Sequence, residues 1–330
     1  MQNCYQKFKQ NKRGYYSFIL LAIFSFFTFF AEVIANDKPL FIRVGGHSYF
    51  PFIQEICEVE IGGIFETEAD FRDQKVQQML DFAIWPPLRF SHDTINYNLH
   101  SPAPSRPTSV NLLGTDDNGR DILARIIYGA RTSLIFGILL TFFSAVIAIV
   151  MGALQGYFGG WMDIFLQRFT EIWSAMPVLF LLIIMSSILE PSFFTLIGLL
   201  LLFSWMSLAA YVRAEFLRLK NFEFVMAARA LGASDWRIIT KHILPNASTV
   251  IVSNLPFLLS GAIITITSLD FLGLGMPIGE PSLGELLAQG KNNINAWWLG
   301  LSGFMVMSFI LVLLIFIGES LRNAFNNKLD

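Results

Sequence analysis

The chain has 330 residues, of which 54% are hydrophobic and only 15% charged, and its 23 basic and 25 acidic residues leave a formal charge of −2. That balance excludes a soluble domain of ordinary composition and gives no electrostatic basis for binding nucleic acid. An all-α polytopic membrane protein is expected.

Crossing a hydrocarbon core about 30 Å thick takes about 20 apolar residues. Six stretches qualify, running approximately from Tyr16 to Ile34, Thr132 to Gly156, Ile164 to Leu189, Phe193 to Val212, Ser248 to Leu269 and Trp297 to Gly318. The second, fourth, fifth and sixth contain no Asp, Glu, Lys or Arg. The third carries Arg168 and Glu171 in its first two turns, where an ion pair at a helix end suffices to explain them. The first follows Lys7, Lys9, Lys12 and Arg13, and so fits either an anchor or a signal peptide. Glu32 beside the possible cleavage point and a Phe-rich core favour an uncleaved anchor. Either way the basic residues before it stay inside and Asn36 onward lies outside.

Charge supports this topology. The segment Arg213 to Ala247 carries Arg213, Arg218, Lys220, Arg229, Arg237 and Lys241, whereas the loop from Asp270 to Ala296 has Lys291 as its one base. The organisation is then a basic N-terminus with the first anchor (1–36), an external cap (37–131), a transmembrane domain (132–318) holding a cytoplasmic loop (213–247), and a cytoplasmic tail (319–330). Both termini are cytoplasmic. Cys4 and Cys57 fall on opposite sides of the bilayer, so no disulfide framework is expected.

Within the cap, alternating or aromatic patches from Leu40 to about Val76 predict a few short strands and turns, including CEVEIGGIF. Proline-rich stretches follow at Trp85-Pro86-Pro87 and from Ser101 to Pro107. The Gly/Asp turn Leu113 to Asp121 leads into ILARIIYGARTSL, where Ile122, Ile126 and Leu123, Ile127 recur at helical spacing with Arg120 and Arg125 on other faces. An amphipathic helix on the outer surface is predicted there.

The most informative segment is EFVMAARALGASDWRIITKHILPN, Glu223 to Asn246. Phe224, Ala227, Ala228 and Leu231 recur at three- and four-residue spacing and predict a shallow apolar helix face suited to a groove. Gly232 suits the left-handed turn that ends this helix, Ser234 the cap of the next, and Pro245 the end of the second. Helix, tight turn, helix makes a lever whose second arm leads into the fifth span. On composition alone the same segment also fits a connector resting on headgroups, its bases drawn to anionic membrane lipid. Gly152, Gly156 and Gly160 form a small-residue stripe for close helix packing, and Pro177 and Pro256 interrupt the third and fifth spans.

Glu223, Ala227-Ala228, Arg229 through Ser234, Ile238 and His242 through Asn246 resemble the EAA signature of bacterial ATP-binding-cassette (ABC) importer permeases, in its dipeptide and oligopeptide branch. Leu113 to Asp121 with Arg125, Gly129 and Arg131, the turn Gly156 to Asp163, and Asp270-Phe271-Leu272-Gly273-Leu274-Gly275 through Pro281-Ser282-Leu283-Gly284 resemble the same branch. The resemblance covers Leu112 to the C-terminus. Before it, Trp85-Pro86-Pro87, Asp93 to Leu99 and the long cap resemble a subgroup associated with peptide and microcin C uptake.

The resemblance implies a type I importer permease bundle of six helices in the bacterial inner membrane. Its partners would be a homologous second permease, two ATP-binding cassette ATPases and a periplasmic solute-binding protein. It assigns ATPase coupling to Glu223, Ala227, Ala228, Arg229, Gly232, Ala233, Ser234, His242 and Pro245. No cofactor is expected on this chain, ATP and Mg belonging to the ATPases. The chain contains no GxxxxGK[ST], HExxH or GxSxG, and His47, His92 and His100 share no metal spacing, so no enzyme activity is expected. The alternative class is a membrane-anchored sensor or enzyme acting through residues 37–131.

Overall fold

In a computed structural model, residues 2–99, 101–190, 192–277 and 279–326 are described. The helices are α1 (Gln2–Gln10), α2 (Lys12–Phe29), α3 (Ala31–Ile34), α4 (Gln74–Met79), α5 (Ile122–Phe158), α6 (Gly160–Ser174), α7 (Val178–Ile188), α8 (Phe193–Ser204), α9 (Met206–Leu219), α10 (Glu223–Ala230), α11 (Asp235–Arg237), α12 (Leu244–Phe271), α13 (Leu283–Asn292) and α14 (Trp297–Asn326). Strands β1 (Phe41–Val44), β2 (His47–Tyr49) and β3 (Phe82–Ile84) complete the inventory. Two compact units result: one of residues 1–22, 134–277 and 308–330, the other of 23–133 and 278–307.

Among the described residues four helical stretches are long and apolar enough to cross a membrane, Ile122–Phe158, Phe193–Leu219, Asp235–Phe271 and Trp297–Phe325. A fifth arises if α6 and α7 form one broken span. The expected sixth, the first in sequence, is not among them. Helix α2 begins on Lys12 and Arg13 and stops at Phe29, so its uncharged part falls short of the required length of about 20 residues. The third expected span is also not a single rod. Its two pieces meet at a 68° bend, where Pro177 precedes α7, because a proline nitrogen donates no helical hydrogen bond. Pro256, by contrast, lies inside α12, which continues across it.

In the unit holding most of the apolar helices, one core joins the second half of α5 to α9, α10 and the start of α12 through Ala148, Tyr157, Leu208, Val212, Phe216, Val225 and Ala247. Close approach of α5 and α9 depends on missing side chains. A Cβ on Gly152 would lie 2.7 Å from the Ala209 carbonyl oxygen, and one on Gly156 would lie 2.5 Å from the Phe216 Cβ and 2.7 Å from the Arg213 carbonyl oxygen. Gly160 is not part of this stripe: no atom lies within 4 Å, and its φ of +53° makes it a turn position beside Gly159. We expect Gly156→Val to destabilise the chain by about 1–3 kcal/mol through overpacking, with a lower melting temperature in detergent. An unchanged melting temperature would show that the two helices separate freely.

The second unit is built on a three-stranded antiparallel sheet of order β2-β1-β3, with Ile42 opposite Tyr49 on one side and Ala83 on the other. Ile42, Ile56, Ile61, Phe71 and Val76 form its core. The third strand lies beyond the predicted range, and CEVEIGGIF gives a 3-10 turn, Glu58–Ile61, in place of a strand. Glycines at its end allow the left-handed φ of +93° at Gly62 that closes the turn. The interfacial helix expected at Ile122 is also corrected. Those residues are the first turns of α5 itself, because no Pro interrupts the chain before the following apolar run and the helix continues through Gly129.

In the same unit Ile122 and Ile126 pack with Leu286, Ala296 and Leu299, and Ala124 and Tyr128 with Ala31, Ala35 and Leu88. Arg120 and Arg125, expected on faces other than the apolar ones, are buried. Asp116 accepts a bond of 2.7 Å from Arg120 Nε, and Arg125 Nε stands 3.5 Å from the same carboxylate. Glu285 on α13 pairs with both guanidinium groups. Beside them burial pushes the Asp121 carboxyl up from its ordinary value, against the Asn111 side chain and the Ala124 amide that bond its charged form. Cys57 is a free thiol. The Cys4 side chain and His100 lie outside the described residues, as does the end of the tail from residue 327.

Candidate coupling segment

Helix α10 starts without a side-chain cap at Phe222, and Glu223 stands exposed in its first turn, where a carboxylate complements the helix dipole. Val225 and Ala228 point inward onto the core formed by Phe216, Leu219, Ile238 and Ile239. Phe224, Ala227 and Leu231 point outward, Leu231 at 88% exposure. Ala228 therefore does not share the outward face that its spacing suggested. Apolar residues occur all around this short helix, so the periodicity did not distinguish the buried side. Met226 and Trp236, the latter 75% exposed, extend the apolar surface.

The turn after α10 has two nested bonds. Gly232 N–H donates to the Arg229 carbonyl at 3.0 Å and Ala233 N–H to the Ala228 carbonyl at 3.1 Å. This pattern requires a left-handed residue between them, and Gly232 has φ +78°. Ser234 occupies the next N-cap position, but its side chain makes no capping bond; its carbonyl accepts from the Ile238 N–H.

Pro245 does not end the second arm. From α11 the chain passes through a π-helical turn, Ile238–Ile243, directly into α12, where Pro245 sits in the first turn. The first turn tolerates a residue lacking N–H, and the wider π turn lies immediately before it, where the ring would otherwise press on the carbonyl four residues back. The second arm and the following span are one helix from Asp235 to Phe271. His242 is half-buried on the π turn, and its carbonyl accepts from Asn246 Nδ2 at 2.7 Å.

Polar bonds tie this segment to the end of α5, and others tie α9 to α6. Tyr157 Oη donates to Asp235 Oδ1 at 2.5 Å, and Arg229 Nη2 donates to Tyr157 Oη at 3.3 Å with its guanidinium 5.7 Å over the ring. The tyrosine hydroxyl holds the Arg229 guanidinium pKa above its ordinary value. Nearby, Arg213 of α9 grips Asp163 of α6 with two bonds of 2.5 and 2.7 Å. Tyr157, Asp163 and Arg213 were not among the coupling residues expected from sequence. Their types were visible, but pairs 50 and 78 positions apart carry no local signature.

A bundle of long apolar helices with a polar helix-turn-helix inserted before one of them is the architecture of a transport permease. The chain belongs to the family described as binding-protein-dependent transport system inner membrane component, whose model matches residues 144–330. It is 48% identical to the peptidoglycan transport system permease protein YejE of Agrobacterium fabrum, over 98% of this chain and 92% of that one. With the inner membrane ABC transporter permease protein YejE of Escherichia coli it shares 49% identity, over 97% and 95% of the two chains. The oligopeptide transport system permease protein OppC of Haemophilus influenzae is 35% identical over 72% of this chain and 77% of its own length. Among solved structures, the inward-facing methionine ABC transporter MetNI superposes with a TM-score of 0.52 at 18% identity, covering 62% of this chain and 97% of that one, which shows a shared type I importer fold. Both YejE relatives are named as permease proteins of transport systems.

Proposed function

We propose that this chain forms half of the translocation path of an ATP-driven importer for peptides or peptide-like compounds, as a six-helix subunit whose first span is the apolar run from Tyr16 to Ile34, α2 continued by α3, with both termini in the cytoplasm. A homologous permease supplies the other half, two ATPases bind from the cytoplasm, and a periplasmic binding protein delivers the solute. The microcin C resemblance and the peptidoglycan and oligopeptide names of the relatives all point to peptide-like cargo.

The observation that carries this reading is the exposed apolar face of α10 and its turn, Phe224, Ala227 and Leu231, at the head of a helix that runs unbroken into a span. ATP binding draws the ATPases together, their grooves carry α10 with them, and the rod from Asp235 onward tilts. The nucleotide shifts the bundle only by its differential affinity for the two packings. Glu223, Ala227, Arg229, Gly232, Ala233 and Ser234 act mechanically here, with Ala228, His242 and Pro245 holding the segment to the core and to α12.

Crosslinkers placed at Ala227 or Arg229 should capture an ATPase subunit, and capture of lipid alone would defeat the reading. Glu223→Lys tests the same contact. The helix itself loses at most about 1 kcal/mol from reversing that charge, so a drop in uptake of more than about tenfold at normal insertion must come from the docking surface. Normal uptake by an inserted Glu223→Lys chain would remove Glu223 from the coupling contact.

A further inference from the structure

A cavity of about 820 Å³ opens among α5, α7, α8, α9 and α12, reaching Arg322 at the end of α14. This volume lies in the range typical of small-ligand sites, roughly 300–1,000 Å³. Along α12 its lining runs from Asn254 to Leu269, a distance of about 22 Å at 1.5 Å per residue. An extended peptide of about six or seven residues has that length.

The lining gathers polar groups from α5, α8 and α9, together with Asn254, Thr265 and Ser268 of α12, whereas Ser253, Ser260 and Thr267 of α12 lie outside it. Between Leu134 and Gly152 on α5 the side chains that carry oxygen are Thr141 and Ser144, and both line the cavity. Between Leu196 and Val212 the hydroxyl-bearing residues are Ser204, Ser207 and Tyr211, and all three line it. Hydroxyls placed at random on these helices would be scattered toward lipid, where the exposed side chains are Ile138, Phe142, Phe143, Val146 and Val150. Polar residues inside a membrane are costly and mark pathways when they converge on one space.

One of these groups has an unmet requirement. Thr141 is 8% exposed, and its hydroxyl has no hydrogen-bond partner. Leaving such a group unpaired costs about 1–3 kcal/mol, unless something that enters the cavity bonds it. Ser144 and Ser204 instead satisfy each other at 2.5 Å. Arg322 is the single formally charged residue of the lining. Neutral donors and acceptors with apolar walls suit a peptide main chain, whose amides are neutral and repeat whatever the side chains.

The geometry points to this cavity as a binding surface for the backbone of an extended peptide in transit, with the Thr141 hydroxyl as one of its hydrogen-bonding groups. The assignment rests on the peptide-importer reading above. It makes the cavity indifferent to side-chain sequence, which fits a path that follows a selective delivery step.

The test uses cells carrying the complete importer and a radiolabelled peptide digest of casein. Thr141→Val, nearly the same shape, and Ser207→Ala should each lower uptake about fivefold, the scale of one lost hydrogen bond, with chain level and ATPase activity unchanged. Ser207→Cys in a Cys4→Ser, Cys57→Ser background should react with a methanethiosulfonate reagent and be protected by peptide. Uptake by both variants at the wild-type rate would overturn the cavity assignment alone. So would labelling that peptide leaves unchanged, or crosslinking from position 207 to the second permease. A wild-type chain that imports no peptide would overturn the importer reading and the cavity's ligand together.

Discussion

Gly232→Val should leave the chain inserted at its normal level and cut ATP-driven uptake at least about tenfold, a change equivalent to roughly 1.4 kcal/mol. The reason is conformational and not steric. No atom lies within 4 Å of a Cβ built on Gly232, so the new side chain meets no clash, but φ is +78°. A left-handed backbone costs a non-glycine residue about 1–2 kcal/mol, and more for a β-branched one, so the turn relaxes by changing its dihedrals. The bonds from Gly232 to Arg229 and from Ala233 to Ala228 then fail, and the angle between α10 and the rod that follows is lost. Gly232→Ala should give an intermediate effect. Uptake per inserted chain, normalised by quantitative blotting, is the measurement. A valine variant that transports normally would show that the turn angle carries no force.

The second large effect is expected at Arg125. Arg125→Met removes a wholly buried guanidinium that pairs with Glu285 and stands 3.5 Å from Asp116. Removing one member of a buried ion cluster costs about 3–5 kcal/mol, because the remaining charges stay desolvated without compensation. Arg120 still holds Asp116 and reaches Glu285 at 3.1 Å, which places the loss toward the lower end of that range. The double change Arg125→Met with Glu285→Gln should recover part of it, since the uncompensated carboxylate is then absent. Denaturant or thermal unfolding in detergent would measure both variants. A loss below about 1 kcal/mol for the single change would mean that the cluster behaves like an ordinary surface ion pair.

Much of this architecture could be read from the residues, and the failures have identifiable causes. The second, fourth, fifth and sixth apolar runs contain no charges, and each forms a long helix in the structure. Gly232 was readable because a glycine directly after a run of helix formers, here Glu223 to Leu231, has one common use. Where the reading failed, a local signal was overridden by continuity or by distant partners. Ile122 to Arg131 has an amphipathic pattern, but with no helix breaker after it the segment continues into the apolar run and becomes the start of α5. Pro245 signals a stop, yet a proline in the first turn of a helix costs little, and a π turn precedes it. Ala228 fits either face of α10, and only the packing of Phe216 and Ile238 decides that it faces inward.

Arg125 shows the limit most clearly. A lone arginine on a helix reads as solvated, and its burial depends on Asp116 nine positions earlier and on Glu285 in α13, far along the chain. The tie between Tyr157, Asp235 and Arg229 is invisible for the same reason. Ion pairs and hydroxyl bonds between elements have no period, so they become legible only after the elements are placed.

The helix from Asp235 to Phe271 comprises 37 residues, so it is about 55 Å long. A hydrocarbon layer of about 30 Å encloses little more than half of that length. Under the coupling proposed above, such a beam would pivot where the surrounding helices clamp it, and a sideways displacement at Asp235 would appear with opposite sense near Leu269. A see-saw of this kind would then open one mouth of a passage as it shut the other, with no separate part needed to synchronise the two.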